Sequence, residues 1–348
     1  MKAKLVLEDG TTLRGEGFGY LSDTAGEVVF STAMTGYTES LTDPSYFGQI
    51  LTLTYPLVGN YGVPCPSFFQ SKKIQISGLV VSKHCLNPSH NQNQKTLDRW
   101  LKENFIPAIS EIDTRALTQK IRQKGTILGK IKMQKDIPFY DPNKENLVAK
   151  VSLRQPETYS SNDFSKTICL IDCGYKKAIL EKLIQKGLNV IVVPWNFNPF
   201  NLNRPFSGIV ISNGPGNPKM AKETIAIVKE AIGKKIPLLG ICLGNQILAL
   251  AAGAETYKLK FGHRSLNQPV KDLFNQKCYI TSQNHGFNVA VKTLPPFWQS
   301  RFINLNDQTC EGIISKDRLF MGVQFHPEGH PGPEDTEFIF DEFVKKLT

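Results

Sequence analysis

The sequence predicts a two-domain α/β protein: an N-terminal mixed β/α domain, then a domain built on a mainly parallel open sheet. Three observations predict it. The chain has 348 residues, and domains of roughly 100–200 residues make that two rather than one. A polar stretch, Arg154 to Lys166, interrupts the apolar pattern with Gln155, Pro156, Ser160, Ser161, Asn162 and Asp163, the composition of a linker. Beyond it, short apolar runs alternate with helix-periodic segments, the rhythm of a parallel sheet covered on both faces. The domains are placed at residues 1–152 and 167–348, with a linker at 153–166.

In the first half, Lys4 to Glu8 is apolar-rich, Asp9-Gly10 signals a turn and Thr11 to Gly15 continues, which predicts a hairpin. Val28 to Phe30, Ile50 to Thr54 and Ile74 to Val81 read as strands. Thr96 to Glu103 and Asp113 to Gln123 read as helices, the second opened by an acidic cap. In the second half, Thr167 to Asp172, Asn189 to Pro194, Gly208 to Ser212 and Ile236 to Ile241 are short apolar strands. Between and after them come helices at Lys176 to Lys186 (stopped by Gly187), Lys219 to Ile232 and Asn245 to Ala252 (ended by Gly253). Lys277 to Thr281, Asn288 to Val291, Gly312 to Ser315 and Phe320 to Gln324 are more hairpin-like strands. An amphipathic helix closes the chain near Thr336 to Leu347.

Hydrophobic residues make up 41% and charged residues 21%, enough apolar material for two cores, so disorder across the chain is excluded. The net charge is +10. It is spread along the chain, with +4 over residues 1–160 (19 basic, 15 acidic) and +6 beyond. Basic residues come as scattered pairs such as Lys72-Lys73, Lys176-Lys177 and Lys234-Lys235. They form no stripe interleaved with aromatics, so nucleic acid is not an expected partner. No run approaches 18 apolar residues, so no membrane span is expected, and the first residues show no cleavage signal. Seven cysteines without a Cys-x-x-Cys pair give no zinc ribbon and no thioredoxin motif. Cys169 and Cys173, in or beside an apolar run, read as buried thiols.

Gly240-Ile241-Cys242-Leu243-Gly244 joins an apolar strand to a helix, the pattern of a nucleophile elbow with Cys at its centre. The tight turn lifts the side chain to the carboxyl end of the sheet, where open α/β sheets bind ligands. Gln324-Phe325-His326-Pro327-Glu328 follows a strand. In an extended segment His326 and Glu328 share a face, which suits a base and its orienter: His takes the thiol proton, Glu holds the tautomer. Ser212-Asn213-Gly214-Pro215-Gly216-Asn217-Pro218 follows another strand. Its glycines let backbone N–H groups approach a substrate and complete an oxyanion hole with the N–H of Leu243. An ordinary turn and a phosphate loop compete with that reading, although no Gly-Lys-Ser/Thr ending is present. Gln283-Asn284-His285-Gly286-Phe287 reads equally as a pocket lining or a structural turn.

Together these segments resemble a class I (triad) glutamine amidotransferase. More closely, the whole chain resembles the small, glutamine-hydrolysing subunit family of carbamoyl-phosphate synthases. Gly26-Glu27-Val28-Val29-Phe30, Met34-Thr35-Gly36-Tyr37, Leu41-Thr42-Asp43-Pro44-Ser45-Tyr46, Thr54-Tyr55-Pro56 with Gly59-Asn60, and Ile112-Asp113-Thr114-Arg115 with Leu117 resemble that family's first domain. The resemblance implies Cys242 as nucleophile, His326 as base and Glu328 as its partner. It implies glutamine contacts from Gly214, Gly216, Leu243, Gln246, Asn284, Gly286 and Phe287, and from Ser45 across an interdomain cleft. It further implies L-glutamine as substrate and a large-subunit partner, in a heterodimer or an oligomer of heterodimers. Ammonia passes to that partner, which makes carbamoyl phosphate for pyrimidine and arginine synthesis. No cofactor and no metal are expected in this chain, because no ATP site is visible; ATP and a divalent metal belong to the large subunit. The expected compartment is the cytoplasm of a bacterium, or the plastid stroma if plastid-encoded.

Three positions depart from the family's pattern: Asn245 in the elbow where His is usual, Ser265 where Gly is usual, and Gly329-His330 where small residues are usual. The alternatives weighed are a glutaminase subunit of another synthetase and a non-catalytic regulatory module. The matched first-domain segments disfavour the one and the intact Cys242, His326 and Glu328 the other.

Overall fold

The computed structural model describes residues 1–161 and 166–347. It divides into two compact units, Met1–Lys144 with Lys260–Ser265, and Glu145–Leu259 with Leu266–Thr348.

In the first unit, strands β1 (Lys2–Leu7), β2 (Thr12–Gly19), β3 (Thr24–Ser31), β4 (Gln49–Leu53), β6 (Gly78–Val80), β8 (Pro107–Ser110) and β9 (Ile127–Lys132) close a barrel in the order β1-β2-β8-β6-β4-β3-β9. A two-stranded pair, β5 (Leu57–Val58) and β7 (Lys83–His84), lies apart from it. The Asp9-Gly10 hairpin forms, with Leu5 opposite Leu13. Alternation sets the core: Ala3, Leu5 and Leu7 are buried while Lys2 and Lys4 are exposed. One apolar cluster gathers Leu5, Val28, Ile50 and Ile109 with Leu117 and Ile121 of helix α3 (Thr114–Lys124). The other gathers Val29, Leu51 and Leu79 with helices α1 (Tyr37–Thr42) and α2 (Leu97–Glu103). The expected acidic cap is present, with Asp113 accepting from Ala116 N at 2.8 Å, and Thr96 caps α2 in the same way, accepting from Arg99 N at 3.2 Å. The expected strand Ile74 to Val81 contracts to Gly78–Val80. Ile74 and Ile76 are buried in the second cluster without joining the ladder. Burial alone gave those two residues the look of a strand.

The second unit holds a ten-stranded sheet ordered β10-β12-β11-β13-β14-β19-β18-β17-β15-β16. Its strands are β10 (Glu157–Tyr159), β11 (Thr167–Asp172), β12 (Asn189–Pro194), β13 (Ile209–Ile211), β14 (Leu238–Ile241), β15 (Thr256–Asp272), β16 (Cys278–Val289), β17 (Trp298–Asn304), β18 (Cys310–Ser315) and β19 (Phe320–Val323). The stretch from β12 to β14 is parallel, as the strand–helix alternation predicts; β19, read from sequence as hairpin-like, pairs antiparallel with β18 but also parallel with β14, which extends the parallel part. Even residues Ile168 and Leu170 face Ile179 and Leu183 of α5 (Lys177–Gln185) and Phe340 and Phe343 of α8 (Phe338–Val344). Odd residues Cys169 and Ile171 face Val228 of α6 (Lys222–Gly233) and Ile247 of α7 (Leu243–Ala252). Period-two strands thus feed two helical layers. Among the described residues, no helix is long and apolar enough to cross a membrane.

The polar stretch assigned to the linker is not all linker. Residues 157–159 form β10, antiparallel to β12 at the sheet edge, and Ser161 N donates to Asn189 Oδ1 at 3.0 Å. Asn162 and Asp163 lie outside the described residues. The units part earlier, between Lys144 and Glu145. The reason is packing: Val148, in the short helix α4 (Val148–Val151), joins the second unit's core. Leu153 N donates to Asp172 Oδ2 at 2.6 Å and Trp195 N to Ser152 Oγ at 3.0 Å.

Candidate active site

Cys242 sits between β14 and α7 with φ 54° and ψ −102°, a backbone conformation that side chains other than Gly rarely adopt. The elbow's two glycines are steric requirements. A Cβ on Gly240 would meet Gly244 O at 2.4 Å, and one on Gly244 would meet Ile211 O at 2.1 Å. Strand pairing sets the rest: Ile241 lies opposite Val323, and Cys242 N donates to Val323 O at 2.8 Å. The thiol is buried, 3.6 Å from Asn284 O.

His326 is supplied by the segment after β19, where its N–H donates to Ser282 O at 2.9 Å. Its Nδ1 lies 2.6 Å from Glu328 Oε1, and both side chains are buried. Among the described residues its Nε2 has no hydrogen-bond partner of good geometry, which leaves that ring edge open toward the Cys242 thiol. Burial, the largest single influence, opposes charge on the imidazole, but the Glu328 carboxylate and the nearby Cys242 thiol together outweigh it and lift His326 above its ordinary value. Burial likewise opposes the Glu328 charge, and the Lys176 ammonium together with His326 holds this carboxyl well below the usual range.

Lys176 is a member of this buried cluster that sequence reasoning missed; it appeared there as a helix start and half of a basic pair. It is 2% exposed, sits 2.9 Å from Glu328 Oε1 and donates to Gly329 O at 2.6 Å. Its backbone N–H is anchored on Asn213 Oδ1 at 2.9 Å. Nothing in the local sequence signals a partner more than 150 positions away. Burial of a lysine is the only possible clue, and it requires the fold.

The remaining predicted positions belong to the second unit, except Ser45. A Cβ on Gly214 would meet Cys173 O at 2.1 Å and Leu243 Cδ2 at 2.9 Å, which puts this loop against the start of α7. Gly216 has φ +83° and packs on Leu147. Leu243 opens α7 and is buried. Gln246 Nε2 donates to Phe287 O at 2.8 Å, which joins two predicted residues. Asn284, Gly286 and Phe287 lie within strand β16. The expected break between Thr281 and Asn288 does not exist, because a single strand runs through polar residues that the sequence pattern leaves open between a pocket lining and a turn. Ser45 lies in the first unit, in the Pro44–Tyr46 turn, with its N–H donating to Asp43 Oδ1 at 2.9 Å. Of the departures, Asn245 is fully buried and donates to Gln324 Oε1 at 3.4 Å. Gly329 has φ +65° and lends its carbonyl to Lys176. Ser265 is buried in β15. The other buried thiols are driven away from reactivity: burial pushes Cys169 up to about 12 and Cys310 up to about 11.

An elbow cysteine in the parallel part of a mixed sheet (antiparallel from β19 to β15, where a mainly parallel sheet was expected), with a buried His–Glu pair supplied by the segment after the neighbouring strand, is the arrangement of a class I glutamine amidotransferase. The family described as Glutamine amidotransferase class-I matches residues 169–346, and the one described as Carbamoyl-phosphate synthase small chain, CPSase domain, matches residues 5–131. The chain is 48% identical over 360 residues to the carbamoyl phosphate synthase small chain of Methanocaldococcus jannaschii, covering 99% of both. It is 45% identical over 359 residues to that of Archaeoglobus fulgidus, covering 100% of this chain and 99% of the other. It is also 48% identical over 357 residues to the multifunctional protein CAD of Squalus acanthias; this stretch is 99% of the present chain but only 16% of that protein. The chain belongs to the carbamoyl phosphate synthase small chain family.

Proposed function

We propose that this chain hydrolyses L-glutamine to glutamate and ammonia with Cys242, His326 and Glu328, and delivers the ammonia to a separate large subunit. That subunit would use it with bicarbonate and ATP to make carbamoyl phosphate for pyrimidine and arginine synthesis, so ATP and its divalent metal are assigned to the partner. The observation that carries the reading is the buried His326–Glu328 contact of 2.6 Å, with Nε2 left open and the elbow thiol beside it.

The chemistry follows from those groups. His326, made more basic by Glu328, takes the thiol proton, and the Cys242 sulfur bonds to the side-chain amide carbon of glutamine. The oxyanion is met by the backbone N–H of Leu243 and the Gly214–Gly216 loop, where one lost donor costs roughly 10²–10³ in rate. The carbon–nitrogen bond breaks as His326 returns the proton to the leaving nitrogen, which departs as ammonia. Water then gives a proton to His326 and attacks the thioester; the carbon–sulfur bond breaks, glutamate leaves and the thiol is restored.

A Cys242→Ser chain tests this. It should release no measurable ammonia from glutamine, while its complex with the large subunit still makes carbamoyl phosphate from ammonium salts. Near-normal ammonia release would overturn the nucleophile assignment, and loss of the ammonium-dependent reaction would overturn the division of labour.

A further inference from the structure

One buried side chain outside the proposed triad faces the nucleophile. Because Ile241 and Val323 are paired in the ladder, Cys242 and Gln324 leave the sheet side by side. Gln324 is fully buried, and its Nε2 lies 3.7 Å from Cys242 Sγ. Its Oε1 accepts from Gln246 Nε2 at 3.1 Å and from Asn245 Nδ2 at 3.4 Å.

The direction of this amide is forced. Phe287 O can only accept, so the Gln246 group facing it at 2.8 Å is the NH₂. That same NH₂ has a second hydrogen, directed at Gln324. Gln324 must therefore turn its oxygen toward Gln246 and Asn245, which leaves its own NH₂ for the sulfur. The Gln246 NH₂ is thus pinned by an accepting backbone carbonyl in β16, donates its second hydrogen to Gln324 Oε1, and the Gln324 NH₂ donates in turn to the sulfur. Asn245, the departure from the family pattern, takes part as the second donor to the same oxygen.

We propose that Gln324 is a positioning residue for the nucleophile: its amide N–H donates to the Cys242 sulfur, fixes the sulfur's direction and stabilises its anionic form. This rests on the reading of Cys242 as nucleophile. A donor bonds a charged acceptor roughly twice as strongly as a neutral one, so the contact strengthens as the thiol gives up its proton.

The test is the pH dependence of Cys242 alkylation by iodoacetamide in the full chain, followed on the Cys242 peptide by mass spectrometry. In Gln324→Leu the rate at neutral pH should fall roughly tenfold and the midpoint should rise by about one pH unit, the weight of a lost hydrogen bond to a charged group. Gln324→Glu keeps the shape but offers no donor, and should shift the midpoint at least as far. Gln246→Leu releases the pin and should shift it in the same direction by less. In glutamine hydrolysis, Gln324→Leu should lower kcat in step with alkylation, with KM within about twofold of wild type.

An unchanged alkylation midpoint in any Gln324 variant that melts cooperatively would overturn the proposal. Without any variant, the side-chain amide resonance of Gln324 in the wild-type chain should move as Cys242 titrates, and a stationary resonance would also overturn it. If Cys242→Ser retained ammonia release, the nucleophile reading would fall instead, while the alkylation midpoint would still decide whether Gln324 faces the sulfur.

Discussion

Replacing Lys176 by Met removes the only cation that the buried Glu328 carboxylate has besides His326 among the described ion pairs. Lys176 is 2% exposed and Glu328 fully buried, so water cannot take over the lost contact. Breaking such a pair by removing one partner costs roughly 3–5 kcal/mol. Glu328 retains His326 and methionine fills most of the volume, so the low end applies, about 3 kcal/mol. For a unit of this size that is a drop of roughly 6–12 °C in the melting temperature. The pH dependence gives a sharper check. Glu328 lies below its ordinary value of 4.5 in the folded chain. Its contribution is therefore present above that value and fades as pH falls through the depressed folded one. The gap between wild type and Lys176→Met should be full at neutral pH and narrow below about 4.5. Calorimetry or fluorescence melting at several pH values would show it. A loss under about 1 kcal/mol, or a gap independent of pH, would refute the claim that Lys176 and Glu328 form a stabilising buried pair.

Three other outcomes follow from the same geometry. Gly244→Ala places a Cβ 2.1 Å from Ile211 O, so it should deform the elbow and abolish Cys242 labelling by a glutamine-like electrophile; a normally labelled variant would contradict the packing. Glu328→Gln removes the charge that raises His326, and steady-state ammonia release should fall roughly 10²–10⁴-fold in kcat, with an unchanged kcat as the refuting result. Lys346 is held down to about 8, first by burial, so wild type carries a cost at neutral pH that is relieved between about 8 and the unfolded value of 10.5. Lys346→Met should accordingly melt higher at pH 7, by about 1 kcal/mol of stability, with the gain shrinking as pH rises through that window; an equal gain at both ends would rule this out.

The elbow and the His-Pro-Glu segment were legible because their chemistry is local. Five residues around Cys242 specify a turn, and two residues in extended backbone share a face. The Asp9-Gly10 hairpin and the β11–β14 alternation were legible for the same reason: period and punctuation are written within a dozen residues. What escaped depends on distant partners. β8 is short and lies between two helical signals, β9 directly follows the second, and the barrel makes them strands by pairing them with β2, β6, β1 and β3. β10 is polar because it is an edge, which made it read as linker. Lys176 and Gln324 could not be assigned from sequence, since a lysine facing Glu328 and an amide facing a thiol are products of strand order and not of neighbouring residues.

The pairing of Ile241 with Val323 has a consequence for how the chain can vary in length. A ladder has only whole-residue settings, and a slip of one turns every side chain to the opposite face. A slip of two keeps the faces but displaces the end of the strand by roughly 6.6 Å, far beyond the reach of a thiol for an imidazole. Alignment at this site is thus digital. An inserted or deleted residue within 238–241 or 320–323 should abolish catalysis outright, however well the protein survives it. The turns at 273–277 and 305–309 stand outside that ruler and can absorb such changes at no cost to the chemistry.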